Sequence, residues 1–151
     1  MRFLIPFIVA AVDQWIKHAV RSLPYGRAFF CVPGLFELLP SINTGAAFSL
    51  LRGNNALLIL ISAALMLFAI VCIYRTMHLT KQASAACLFL LGGGLGNLID
   101  RIVFGGVTDY IRILFLDFPV FNLADICITC SVFVLIILLL INRLEEHESY
   151  E

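Results

Sequence analysis

The sequence has no excess of either charge: ten Lys and Arg balance ten Asp and Glu. The basic footprint of a nucleic-acid binder is therefore absent. No low-complexity tract or internal repeat is present. The histidines (His18, His78, His147) are scattered and no HExxH occurs, so a metallopeptidase would lack its ligands. There is no GxSxG for a serine hydrolase. The glycine cluster "GGGLG" follows no strand-like run and is not followed by Lys-Ser or Lys-Thr, which removes a phosphate loop. Five cysteines are present, and Cys127 and Cys130 form a CxxC with no second pair, inside an apolar run. Cys72 and Cys87 also lie in apolar runs and Cys31 is isolated, so packing as small hydrophobes is favoured over zinc.

What the chain has is apolar length. Its 151 residues are 62% hydrophobic with a mean hydropathy of +1.02, where a soluble domain is about half apolar. Four runs carry the excess: Phe3 to Val20, Ala56 to Tyr74, Ala83 to Val103 and Val120 to Ile141. Each approaches the ~20 residues that cross a hydrocarbon core as a helix, and none alternates like a barrel strand. The expected fold is an all-α membrane protein, a bundle of four transmembrane helices in one domain over residues 1–151. The first run resembles a signal peptide, but Asp13, Gln14 and Lys17 break it and no small-residue cleavage site precedes Arg21, so it reads as a retained span.

Four spans put both termini on one side. Arg2, Arg75, Lys81 and Arg143 fall on that side, and Arg21, Arg27, Arg52 and Arg112 on the other. The terminus side has the denser charge, because its loop from Arg75 to Gln82 is short, and this predicts cytoplasmic termini. The connector from Arg21 to Asn55 is long, and "AFFCV" and "LFELL" flank Pro33-Gly34, which predicts a small β-containing element between the first two helices, on the opposite side.

The unusual polar residues gather on that opposite face. Asp13 and Lys17 stand at i and i+4, where they can pair. Asn97, Asp100 and Arg101 share one side of the third helix, which suits interhelical hydrogen bonding as well as substrate contact. Gly92 and Gly96 have the small-xxx-small spacing of close helix packing. Lys17 could form a Ser-Lys dyad with Ser41 or Ser49, but Asp13 one turn away is the better partner. Asn43 lies in the first connector, Asp109 in the second, and Asn122 and Asp125 open the fourth helix.

Two carboxylates brought to one interface share a proton, and this is the acid-base chemistry of an aspartic peptidase. From spacing alone, a proton-coupled transporter and a purely structural bundle remain open. The lack of charge in the middle of the second and fourth runs, and the concentration of motifs on one face, weigh against a transporter.

Five blocks occur in order: "DQWIK" at Asp13 to Lys17, "NTGAAFSLL" from Asn43, "GGGLGNLIDR" ending at Arg101, "GGVTDY" around Asp109 and "FNLAD" ending at Asp125. Together they resemble the lipoprotein signal peptidase family, signal peptidase II of bacteria. The resemblance implies an aspartic endopeptidase of the inner membrane, acting near the outer face. It would remove signal peptides from diacylglyceryl-modified prolipoproteins just before the lipid-modified cysteine. It further implies Asp109 and Asp125 as the catalytic pair. Asp13, Lys17, Asn43, Gly45, Asn97, Asp100, Arg101 and Asn122 would support the site or contact substrate. No cofactor or metal is expected, and the partners are the substrate and membrane lipids, with the enzyme acting as a monomer.

Two stretches depart from the family pattern. "ELLPSI" has Pro40 and Ile42 where a more strand-like lead-in to Asn43 is expected, and "LDFP" lacks a tryptophan. Asp117 reads as an exposed loop residue.

Overall fold

The structure is a computed structural model and describes residues 2–45, 53–76 and 80–148. The described residues form four α-helices: α1 (Ile5–Arg21), α2 (Asn55–Thr76), α3 (Lys81–Phe104) and α4 (Leu123–Glu148). A short 3-10 turn, Arg2–Leu4, leads into α1. Pro6 sits in the first turn of α1, where its missing N–H costs nothing. The buried stripe of α1 runs Pro6, Val9, Ala10, Asp13, Lys17, Val20, at helical spacing. Its other face exposes Phe7, Ile8 and Trp15, the reverse of what water would select.

Helix α3 is the hub, packing against α1, α2 and α4. Thr80 caps its start by accepting from the Ala83 N–H at 3.1 Å, and Gly105 ends it in the left-handed conformation at φ 75°. Small residues let its neighbours approach. A Cβ on Gly93 would lie 2.5 Å from the Ala124 carbonyl oxygen of α4, and one on Gly96 would lie 2.5 Å from Asp13 Oδ2 of α1. The apolar core joins Ala69, Cys87, Leu88 and Leu91. The polar residues collect at the other end, where α1 and α3 finish and α4 begins.

Among the described residues, three helices are long and apolar enough to cross a membrane: Arg2–Arg21, Lys81–Phe104 and Leu123–Ile141. A shorter apolar stretch, Asn55–Val71, belongs to α2. Within the fourth apolar run, from Val120, the helix begins at Leu123. Apolarity continues through Phe121, but the backbone there serves a strand: Tyr110 and Ile111 both donate to the Phe121 carbonyl, at 3.0 and 2.8 Å.

The β element is larger than expected. Strands β1 (Phe30–Val32), β2 (Phe36–Asn43) and β3 (Val107–Ile113) form an antiparallel sheet in that order. The β1–β2 hairpin turns at Pro33-Gly34, with Gly34 at φ 76°, as its sequence predicted. The third strand, however, comes from the connector between α3 and α4, so the sheet joins both long connectors. "ELLPSI" is strand after all. The register shifts between Leu38 and Ser41, so Pro40 falls at a bulge, where a missing N–H is tolerated. Beyond the bulge Ser41 pairs with Asp109 and Asn43 with Val107.

Candidate active site

Asn122 and Asp125 open α4 as a reciprocal cap. The Asp125 N–H donates to Asn122 Oδ1 at 2.9 Å, and the Asn122 N–H donates to Asp125 Oδ2 at 3.2 Å. The other first-turn donors of α4 are also met. Leu123 N–H reaches the Tyr110 hydroxyl at 3.2 Å, and Ala124 N–H reaches Asp13 Oδ1 at 3.1 Å. These are the groups a helix start leaves orphaned. They tie α4 to β3 and α1, and so fix where Asp125 stands.

Asp109 is placed by β3 and by Asn122, whose Nδ2 donates to Asp109 Oδ1 at 2.7 Å. Asn43 also favours the charged Asp109 carboxyl, while its Oδ1 accepts the Gly45 N–H at 2.9 Å. Burial, with the nearby Asp125 charge adding to it, pushes Asp109 up to about 7. Burial likewise pushes the Tyr110 hydroxyl up to about 12, which keeps it protonated as a hydrogen-bonding group.

Asn97 connects the acids to a buried cation. Its Nδ2 donates to Asp125 Oδ1 at 2.8 Å, and its Oδ1 accepts from Lys17 Nζ at 2.8 Å and Asn122 Nδ2 at 3.1 Å. Lys17 is fully buried and pairs with Asp13 Oδ2 at 2.8 Å. With Lys17 engaged by Asp13 and Asn97, the ion-pair reading of the spacing holds; Ser49 lies outside the described residues. Asp100 is also fully buried. Its Oδ2 accepts the Thr108 N–H at 2.8 Å and lies 3.5 Å from Lys17 Nζ. Arg101 donates to the carbonyls of Asn97 and Gly45, each at 3.4 Å.

Asp109, Asp125, Asn43, Asn97 and Arg101 form the polar end of a cavity of about 440 Å³. Its other walls are apolar, with Val107, Phe118, Phe121 and Ile126 among them. Asp13, Lys17, Asp100 and Asn122 stand behind that polar end, and Gly45 takes part through its backbone. The structure thus brings the sequence-predicted residues to one place. Asp117 is exposed in its loop. Sequence reasoning missed Gln14, Arg21, Thr108 and Tyr110. Arg21 continues the stripe Asp13, Lys17 at another i+4 step, a signal that was legible; Thr108 and Tyr110 needed the unforeseen strand.

Fold and site define a small helical membrane protein with two buried carboxyls, Asp109 and Asp125, lining one cavity. The chain matches the Peptidase A8 family model, signal peptidase (SPase) II, over residues 5–141, and it belongs to that family. It is 33% identical over 136 residues to the lipoprotein signal peptidase of Brevibacillus brevis, covering 89% of this chain and 91% of that one. It is 39% identical over 141 residues to that of Microcystis aeruginosa, covering 89% and 88%. A solved bacterial membrane enzyme, determined by the in meso method, superposes with a TM-score of 0.82 at 28% identity, covering 94% of this chain and 88% of the other.

Proposed function

We propose that this chain is a lipoprotein signal peptidase, cleaving the signal peptides of prolipoproteins by general acid-base catalysis on the Asp109 and Asp125 pair. The observation that carries the assignment is Asn122, which touches both carboxyls behind the polar end of the cavity, Asp109 through its side-chain Nδ2 and Asp125 through its backbone N–H. Asp125 accepts from Asn97 and Asn122, which suits it to carry the charge and take a proton from water. Asp109, whose Oδ1 accepts from Asn122, holds the shared proton and gives it to the scissile carbonyl oxygen as the hydroxide adds to the carbon. The tetrahedral adduct then collapses as the proton on Asp125 passes to the leaving amine and one hydroxyl of the adduct returns its proton to Asp109, which restores the starting pair. No covalent enzyme intermediate forms.

The substrate is the diacylglyceryl-modified precursor, cut before its lipidated cysteine, as the family motifs imply. Apolar walls beside the acids suit acyl chains, each buried CH₂ contributing ~0.8 kcal/mol. In this reading all four helices span the membrane with cytoplasmic termini. The sheet and the site face outward, and α2 serves as the remaining span: at 1.5 Å per residue its 22 residues reach about 33 Å.

Purified protein should cleave a diacylglyceryl-modified precursor. Folded protein that leaves it intact would favour a proton-coupled transporter. For topology, Arg27→Cys should label from outside and Lys81→Cys should not, in a background lacking the native cysteines; the reverse pattern overturns the orientation.

A further inference from the structure

Arg21, the last residue of α1, touches two residues that lead to Asp109. Its Nη2 meets Asp100 Oδ1 at 2.5 Å, and its Nε donates to Thr108 Oγ1 at 3.0 Å. The ring of Phe104 lies 3.9 Å from its Cζ, a cation–π contact. Gln14 completes the hub, its Nε2 donating to Asp100 Oδ1 at 2.7 Å and to the Gly96 carbonyl at 2.9 Å.

Asp100 in turn accepts the Thr108 N–H at 2.8 Å. Thr108 is therefore gripped twice, at its hydroxyl by Arg21 and at its N–H by the carboxylate that Arg21 holds. It is the residue immediately before Asp109. On its far side the Thr108 carbonyl accepts from Asn122 Nδ2 at 3.4 Å. The end of α1, the end of α3 and the start of β3 thus meet at one guanidinium.

We propose that Arg21 is a positioning residue for the peptidase reaction, fixing through Asp100 and Thr108 where Asp109 stands relative to Asp125. This rests on the function proposed above. Arg21 is not among the residues that line the cavity, so its effect on the chemistry passes through others. The planar fork is what the place requires: Nη2 and Nε point to different residues at once, which a lysine ammonium on a single stem does not reproduce. A mere anchor would need Asp100 alone; the bond to the Thr108 hydroxyl adds aim.

The test compares the parent with Arg21→Met, Arg21→Lys, Thr108→Val and the Arg21→Met/Thr108→Val double variant. Each is purified in micelles and assayed on a diacylglyceryl-modified precursor, with kcat and KM measured separately per folded molecule. Misplacing a reacting group by about 1 Å costs up to ~10²-fold, so Arg21→Met should lower kcat by roughly 10- to 100-fold at nearly constant KM. Arg21→Lys should fall between Arg21→Met and the parent. Thr108→Val, which keeps the ion pair with Asp100, should lose about 3- to 10-fold in kcat. The double variant should lie close to Arg21→Met, because the two changes break the same contact.

An unchanged kcat in Arg21→Met, a loss confined to KM, or losses that multiply in the double variant would each overturn the positioning role. If Arg21→Met does not fold, Thr108→Val decides: parental kcat there overturns it. Cleavage by the parent with unaffected variants defeats this inference alone, whereas an inactive parent defeats the proposed function with it.

Discussion

Asn122 and Asp125 hold each other from both sides, each backbone N–H bonded to the other's side chain, and the free amide hand of Asn122 reaches Asp109. Capping and catalysis can be separated here. Asn122→Ser keeps a capping oxygen but is too short to donate to Asp109, while Asn122→Ala loses both. Both should lose roughly 10²-fold in kcat, in line with the loss of one positioned donor. The Ser variant should be more stable than the Ala variant by about 1 kcal/mol. Thermal melts and turnover of the two variants check this; parental turnover by Asn122→Ser would remove Asn122 from the chemistry.

Asp109→Asn and Asp125→Asn should each abolish detectable cleavage in folded protein. A positioned acid or base contributes roughly 10²–10⁴ in rate, and amide replacements neither accept water's proton nor return it. Since the pair acts as a unit, the double variant should be little worse than either single one. Asp117→Asn, exposed in the β3–α4 loop, should stay active. Substantial cleavage by either single variant would sink the pair.

The raised Asp109 carboxyl also predicts a dependence of stability on pH. It titrates at about 7 in the fold against 3.8 in its ordinary state, so between those values the folded chain holds a proton that the unfolded chain has released. Its contribution is therefore full below the lower value and is lost as pH rises through the upper one. The parent's melting temperature should fall across that window. Asp109→Asn should remove this component of the slope and melt above the parent at about pH 8. An identical slope in the variant would contradict the assignment. Loss of the same shared proton should set the alkaline limb of a bell-shaped rate profile.

Lys17→Ala should lower both folded yield and melting temperature along with activity. It strips the cation from Asp13 and the donor from Asn97, and breaking a buried pair on one side costs roughly 3–5 kcal/mol. A variant that melts like the parent yet lacks all activity would make Lys17 a chemical participant.

Much of the site was legible because it lies on helices. Asp13 with Lys17, and Asn97 with Asp100 and Arg101, sit at spacings that share a face whatever packs against them. Asp125 was legible for a related reason, as an acid at the start of an apolar run. The strand carrying Asp109 was not. Its partner β2 lies far earlier in the chain, strand preference depends on such neighbours, and Pro40 argued against a strand in β2 itself. Arg21 read as a loop charge although its i+4 step from Lys17 placed it on the same stripe; its partners, Asp100 and Thr108, are brought to it only by tertiary packing.

The bond between Asp13 and Lys17 is made within one turn of α1, so it can form before any later helix has left the ribosome. The first span then enters lipid carrying its own counter-ion. The remaining capacity of the pair, taken up in the finished fold by Asn97 and the Ala124 N–H, waits for α3 and α4. Asp125 emerges on α4, after the other three described helices, so neither the acid pair nor the network behind it is complete before α4 is made. On the proposed function, a nascent peptidase is inert toward neighbouring precursors until α4 is inserted.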